Sequence, residues 1–153
     1  MKHFKQIFMM LVMTAGLFGL TGCVKKEAVT VKEFNQVMED AGAEIVDATD
    51  QLSDRVVKEI SLAVFDDYQI EFYVLTNEDT ASAVFFENRA IFEENKGSVS
   101  SEISKSIGNY NYYALTSGGS CYLLARVDNT MLYVVADAGD KDEITEMFKT
   151  LGY

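Results

Sequence analysis

Residues 110–136 read YNYYALTSGGSCYLLARVDNTMLYVVA. The stretch contains three runs rich in aromatic and branched aliphatic residues, which are typical of β-strands. The pairs Gly118-Gly119 and Asp128-Asn129 separate the runs, and both pairs suit two-residue hairpin turns because these residues tolerate positive φ. We therefore predict three antiparallel strands, over 110–116, 121–127 and 130–136.

The two turns also predict the register of these strands. Tyr113 should lie opposite Leu124, and Leu124 opposite Tyr133. Side chains alternate between the two faces of a sheet, so each face can be written down. The apolar face consists of Tyr110, Tyr112, Ala114, Cys121, Leu123, Ala125, Val127, Leu132, Val134 and Ala136. The tyrosine face consists of Asn111, Tyr113, Leu115, Tyr122, Leu124, Arg126, Met131, Tyr133 and Val135. We expect a helix to cover the apolar face.

Three segments have the apolar spacing of amphipathic helices. Thr30 and Glu33 have the spacing of a capping box and predict a helix over 31–41. Asn77 predicts the start of a second helix, whose apolar stripe is interrupted by Asn88. A third helix should begin near Asp140, where Asp-Lys-Asp-Glu again has the form of a cap.

Three further strands are predicted before the second helix. Residues 44–48 form a short one, and residues near 60–64 and 70–74 alternate apolar with other side chains. We expect a three-residue loop, 66–68, that places Val64 opposite Ile70, because this register puts the apolar residues on one face. Residues 96–101 read as a loop.

The predicted fold is therefore α+β, an antiparallel sheet with packed helices in the order α-β-β-β-α-β-β-β-α. Residues 31–153 form one domain in this interpretation, because the connections are short and leave no place for a boundary.

The beginning of the chain has the layout of a secretory signal. Lys2 and Lys5 precede an apolar run over 7–20, which is too short to span a bilayer. The run ends in Leu20-Thr21-Gly22-Cys23, which resembles the lipobox of bacterial lipoproteins. This resemblance implies that signal peptidase II removes residues 1–22 and that Cys23 carries the lipid. Residues 23–30 would then be a lipidated tether, and the domain would lie at the extracytoplasmic face of the cell membrane.

Composition excludes several functions. The 153-residue chain has a formal charge of −11, and nucleic-acid binding needs clustered basic residues. Removal of residues 1–22 would leave 131 residues at −13 with no histidine, because His3 is the only one. Without histidine, Ser-His-Asp and Cys-His catalysis and the usual zinc sites are ruled out. We expect neither a cofactor nor a metal.

Part of the tyrosine face is the best candidate binding site. Tyrosine offers a large contact area with a polar tip, and arginine pairs with carboxylates or stacks on rings. The face would suit a peptide, a glycan or a partner protein. Alternatively, a helix covers it and the arginine lies at the edge of that helix. The candidate residues are Asn111, Tyr113, Tyr122, Arg126 and Tyr133.

Acidic groups and a lone thiol are weaker candidates. Residues 137–143 hold four acids that could bind calcium, but their spacing does not match an EF-hand loop. The pairs Asp66-Asp67 and Glu93-Glu94 are interpreted as solvated, and Cys121 as a small buried apolar residue. The resulting hypothesis is a lipid-anchored, non-catalytic binding module. The alternatives are an accessory subunit of an envelope complex and, third, a carboxylate-based hydrolase.

Overall fold

The structure, a computed structural model, describes residues 25–51 and 56–153. The predicted signal segment 1–22 and Cys23 lie outside the described residues. Within these two ranges, seven strands form one antiparallel sheet, and three helices pack on it. The helices are α1 (Val31–Asp40), α2 (Glu78–Glu93) and α3 (Lys141–Thr150). The strands are β1 (Glu44–Asp47), β2 (Val57–Val64), β3 (Gln69–Leu75), β4 (Ser100–Ile107), β5 (Tyr110–Ser117), β6 (Ser120–Val127) and β7 (Thr130–Asp137).

The sheet order is β1-β2-β3-β7-β6-β5-β4, and the α+β class is confirmed. The predicted register of the three central strands is also confirmed, because Tyr113 pairs with Leu124 and Leu124 pairs with Tyr133. In the turns, Gly118 and Gly119 have φ of 62° and 88°, and Asp128 has φ of 49°. These positive angles allow the strands to reverse within two residues.

The predicted element order was wrong by one strand. Residues 100–107 form β4, an edge strand that pairs only with β5 among the described strands. All eight of its residues are exposed, so this strand has no buried face to impose an apolar alternation on the sequence. The observed order is α-β-β-β-α-β-β-β-β-α, and the loop predicted over 96–101 is correspondingly shorter.

The predicted register of the β2–β3 hairpin was also wrong. Val64 pairs with Gln69 and Ala63 with Ile70, and the Phe65 amide donates to the Tyr68 carbonyl across the turn. The prediction assumed that one face of this hairpin carries all its apolar residues. In fact both faces carry some, because the sheet has helices on both sides.

Two of the three predicted capping residues make a side-chain cap at the start of their helix. Thr30 and Glu33 form the predicted capping box, and the Asn77 side chain accepts from the Thr80 amide. Asp140 makes no side-chain cap. Its backbone is already helical, since it ends the 3-10 turn Ala138–Asp140 that precedes α3.

The two faces of the sheet are covered differently. Helices α1 and α3 pack on the apolar face, where Phe34 of α1 stacks on Phe72 of β3 at a ring-centroid distance of 4.8 Å. Among the described helices, α2 is the one that packs on the tyrosine face, through Ala81, Phe85 and Phe92. A single helix cannot cover seven strands, so part of the tyrosine face remains accessible.

Candidate functional site

Arg126 lies beneath the start of α2 and is 4% exposed. Its Nε donates to Asn111 Oδ1 at 2.7 Å, and its Nη1 donates to the Asp128 carbonyl at 2.9 Å. Glu78, in the first turn of α2, approaches Nη1 to 3.6 Å. A buried guanidinium needs such partners, so this network fixes the helix onto the sheet.

Asn111 extends this network to the edge of the sheet. Its Nδ2 donates to Ser106 Oγ on β4 at 2.8 Å, and the residue is 3% exposed. Both ends of the amide are therefore occupied by neighbouring side chains. These contacts give Asn111 a structural position between β4 and Arg126.

Tyr113 is fully buried on the same face. The Arg89 guanidinium of α2 lies 4.9 Å from the centre of its ring, a cation–π geometry. Burial, followed by the nearby carboxylates of Glu102 and Glu93, raises the pKa of the phenol. Its hydroxyl has no hydrogen-bond partner among the described residues.

These positions exclude the predicted open surface for three of its five residues. Tyr113 and Arg126 are buried beneath α2, as in the alternative given above, and Asn111 is buried between Arg126 and β4, so the folded domain does not present these three side chains to a partner. Tyr122 and Tyr133 are only partly buried, and each has its ring centre 5.1 Å from that of Phe92. Strand periodicity shows which residues share a face, but it does not show which helix lies over that face.

The accessible part of the tyrosine face includes a cleft of about 330 Å³ between α2 and β3. We call it the tyrosine cleft. It brings Tyr133, the one predicted candidate within it, next to Glu71 and Tyr73 of β3. The β3–β7 pairing explains this, because Glu71 pairs with Tyr133 and Tyr73 with Met131. The lining residues are Val57, Glu71, Tyr73, Leu75, Val84, Asn88, Met131 and Tyr133.

The Glu71 carboxylate is held in place by donors on its own strand. Gln69 Nε2 donates to it at 2.8 Å, and the Tyr73 hydroxyl donates to its other oxygen. Burial, followed by this bond to Glu71, raises the pKa of Tyr73 above its ordinary value. Burial and Glu71 also raise the pKa of Tyr133. Both phenols therefore stay neutral beside the carboxylate at neutral pH.

Sequence reasoning missed Glu71 and Tyr73. The signal was the alternation of Gln69, Glu71 and Tyr73 along β3, but only the pairing of β3 with β7 places them beside Tyr133. Asn88, which interrupts the apolar stripe of α2, lies at the cleft wall. Its Nδ2 donates to the Val84 carbonyl at 2.9 Å, a local hydrogen bond within the helix.

The acidic segments 66–67 and 137–143 lie close together at the end of the sheet opposite to the N-terminus of α2. Tyr68 Oη lies 3.5 Å from a Glu143 oxygen, and burial together with Glu143 and Asp140 raises the pKa of Tyr68 to about 12. Within residues 25–51 and 56–153, no group of three or more potential ligand residues could hold a metal ion.

Cys121 is buried in the apolar face, as expected. Its Sγ donates to the Asp137 carbonyl at 3.2 Å, and burial raises the pKa of the thiol. Both effects disfavour the thiolate, which is the nucleophilic form.

Searches with this chain found no matching family model, no matching curated protein and no matching solved structure. None of the helices described is long and apolar enough to cross a membrane.

Proposed function

We propose that this protein is a lipoprotein of the extracytoplasmic face of the cell membrane, anchored through Cys23 after signal peptidase II cleavage. In this proposal the domain is a non-catalytic binding module without a cofactor. Its tyrosine cleft binds a cationic side chain on a basic segment of a partner protein in the envelope.

The observation that carries the binding proposal is the lining of the cleft. A carboxylate, Glu71, accepts from the Tyr73 phenol and is the cross-strand neighbour of Tyr133, and the apolar side chains of Leu75 and Met131 line the same cleft. Ring faces attract ammonium and guanidinium groups, and a partly desolvated carboxylate strengthens that attraction. The volume of about 330 Å³ is at the low end for a ligand site, which fits one side chain better than a large ligand.

The charge of the chain supports the same choice of partner. A formal charge of −11 attracts basic segments over distance and repels acidic ones. A neutral glycan could donate hydrogen bonds to Glu71, but it would gain nothing from this long-range field. We therefore favour a basic peptide segment over a glycan.

The anchor is tested with the Cys23→Ala variant. We expect the precursor to remain uncut and its mass to include residues 1–22, whereas the unchanged protein should carry the lipid on a chain that starts at Cys23. The measurement is intact mass together with extraction of membranes by carbonate. A cleaved Cys23→Ala protein that still resists extraction would contradict the proposed anchor.

The cleft is tested with trilysine as the probe and triglutamate as its matched opposite. The lipidated protein in detergent should bind trilysine and not triglutamate in a calorimetric or NMR titration. We expect Glu71→Gln to weaken trilysine binding about fivefold, the range of a partly exposed ion pair. Glu59→Gln makes the same charge change on the other face of the sheet, next to Val74, and should change the affinity little.

The possible results of this titration distinguish a cationic occupant of the tyrosine cleft from a glycan. No trilysine binding, or equal losses for Glu71→Gln and Glu59→Gln, would overturn the proposed cationic occupant of the cleft. Binding of an uncharged oligosaccharide that is lost in Tyr133→Ala would assign the cleft to a glycan instead.

A further inference from the structure

The segment that precedes α1 is docked onto the domain. The side chain of Asn109, which is 6% exposed, hydrogen-bonds to both polar groups of the Lys26 backbone. The Lys26 amide donates to Asn109 Oδ1 at 3.0 Å, and Asn109 Nδ2 donates to the Lys26 carbonyl at 2.7 Å. Lys26 Nζ also donates to the Gly152 carbonyl at 2.7 Å and lies 3.9 Å from the centre of the Tyr110 ring. The chain is therefore fixed to the fold from Lys26 onward.

This docking limits how far the domain can lie from its anchor. Two residues separate Lys26 from Cys23, and each step along the chain spans at most about 3.6 Å. If Cys23 carries the lipid, as proposed above, the Lys26 backbone held by Asn109 lies within about 11 Å of the acylated residue. That distance allows the domain little freedom to turn away from the bilayer.

Basic groups gather at this corner of an otherwise acidic protein. Burial and the neighbouring Lys105 lower the pKa of Lys26, which agrees with the closeness of the two ammonium groups. Lys105 Nζ lies 6.0 Å from the centre of the Tyr112 ring. Lys105 and Lys149 also line a groove of about 240 Å³ between β4 and α3. We call Lys25, Lys26, Lys105 and Lys149 the lysine corner.

Two carboxylates contact the lysine corner. Asp128 lies 3.5 Å from Lys25 Nζ, and Glu146 lies 2.6 Å from Lys149 Nζ. The corner therefore carries four lysines against these two carboxylates and the adjoining Glu27, a positive excess of one in a chain of net charge −11. The opposite end of the sheet holds the acidic β2–β3 turn and the acids from 137 to 143, so the charge of the domain is polarised along the strands.

We propose that the lysine corner faces the bilayer and binds the headgroups of anionic phospholipids, which fixes one orientation of the domain. Near an anionic surface each lysine is attracted, and the acidic end is repelled, within about a Debye length. Ile107, 63% exposed at the end of β4, then lies at the headgroup level. Strand β4 runs away from the membrane.

The test uses the full chain in its lipidated form, reconstituted into vesicles of phosphatidylcholine and phosphatidylglycerol. A thiol-reactive fluorophore is placed at Ile107→Cys or, as the matched position, at Ser101→Cys. Both residues are exposed and share one face of β4, about 20 Å apart. Cys121 is buried and Cys23 is acylated, so the label reports the new thiol. A spin label on a lipid headgroup serves as the quencher.

We expect strong quenching at Ile107→Cys and little at Ser101→Cys. This difference should shrink in vesicles of phosphatidylcholine alone and in the Lys149→Glu background. Lys141→Glu, the same charge change at the other end of α3, should leave the difference intact.

Three results would overturn the inference, and they differ from one another. Equal quenching at the two positions contradicts a fixed orientation. A difference that survives both phosphatidylcholine vesicles and Lys149→Glu contradicts binding to anionic headgroups. Protein that does not stay with the vesicles contradicts the lipid anchor itself, and with it the proposed location.

Discussion

The two faces of the sheet are covered by different numbers of helices and bury different kinds of side chain. The apolar face lies beneath α1 and α3 and buries mostly aromatic and aliphatic side chains, together with the hydroxyls of Ser61 and Thr130. The tyrosine face lies beneath one helix and buries an arginine, an asparagine and a tyrosine hydroxyl without a partner. Buried apolar contacts are non-directional, whereas buried polar groups each need a partner. We therefore expect the apolar face to dominate stability and the tyrosine face to position α2 and leave the tyrosine cleft accessible.

The largest effect should come from the apolar face. Phe72 is fully buried and stacks on Phe34, so Phe72→Ala removes a ring from the centre of the core. We expect a loss of about 4 kcal/mol in the free energy of unfolding, measured by urea denaturation. Val135→Ala, at a 40% exposed position on the other face of β7, is the control and should cost well under half of that. Similar losses for both would show that the apolar face does not dominate.

The next effect concerns Arg126. Arg126→Ala leaves Asn111 Oδ1 and the Asp128 carbonyl without the donor that Arg126 supplies. A buried acceptor without a donor lowers the free energy of unfolding. We expect a loss of about 2–3 kcal/mol in the free energy of unfolding, less than for a fully buried ion pair because Glu78 is 52% exposed. An unchanged melting temperature would instead show that Arg126 contributes nothing to the attachment of α2.

The Arg126→Met variant separates the contribution of side-chain packing beneath α2 from that of hydrogen bonding. It keeps the unbranched apolar stem of the side chain and removes the guanidinium, so it should lose less stability than Arg126→Ala if packing beneath α2 matters as well as hydrogen bonding. Lys105→Ala on the exposed strand β4 is a control for loss of a cation alone, and it should fall within about 0.5 kcal/mol of the unchanged protein.

The sequence predicts some parts of the fold and the cleft and not others, depending on whether the contacts are local in the chain. The central hairpins follow from Gly118-Gly119 and Asp128-Asn129, because turn chemistry is local. Strand β4 was missed because a fully exposed edge strand carries no burial pattern. The cleft was missed because Glu71 meets Tyr133 only through the pairing of β3 with β7, a contact between residues far apart in the chain. Local patterns therefore predict elements and faces, and long-range pairing decides which side chains meet.

Alkaline pH should act on the apolar face through Tyr110. Burial, followed by Tyr112, raises the pKa of Tyr110 from 10.0 to about 12. The folded state therefore holds this proton more tightly than the unfolded state, so the stabilisation is complete below pH 10 and is lost as the pH rises towards 12. We expect the melting temperature to fall over this range, and to fall less in Tyr110→Phe. An identical alkaline decline in both proteins would exclude Tyr110 as a cause.

The smallest effect compares one phenol hydroxyl from each face. On the tyrosine face, the Tyr113 hydroxyl is buried without a partner among the described residues. On the apolar face, the Tyr153 hydroxyl bonds to Thr130 Oγ1. An unpaired buried hydroxyl carries a desolvation penalty, whereas a paired one contributes about 1 kcal/mol net. Tyr113→Phe should therefore leave the free energy of unfolding unchanged or raise it by up to about 1 kcal/mol, and Tyr153→Phe should lower it by about 1 kcal/mol. Urea denaturation of the two variants gives this sign directly. A clear loss of stability in Tyr113→Phe would mean that its hydroxyl is hydrogen-bonded in solution.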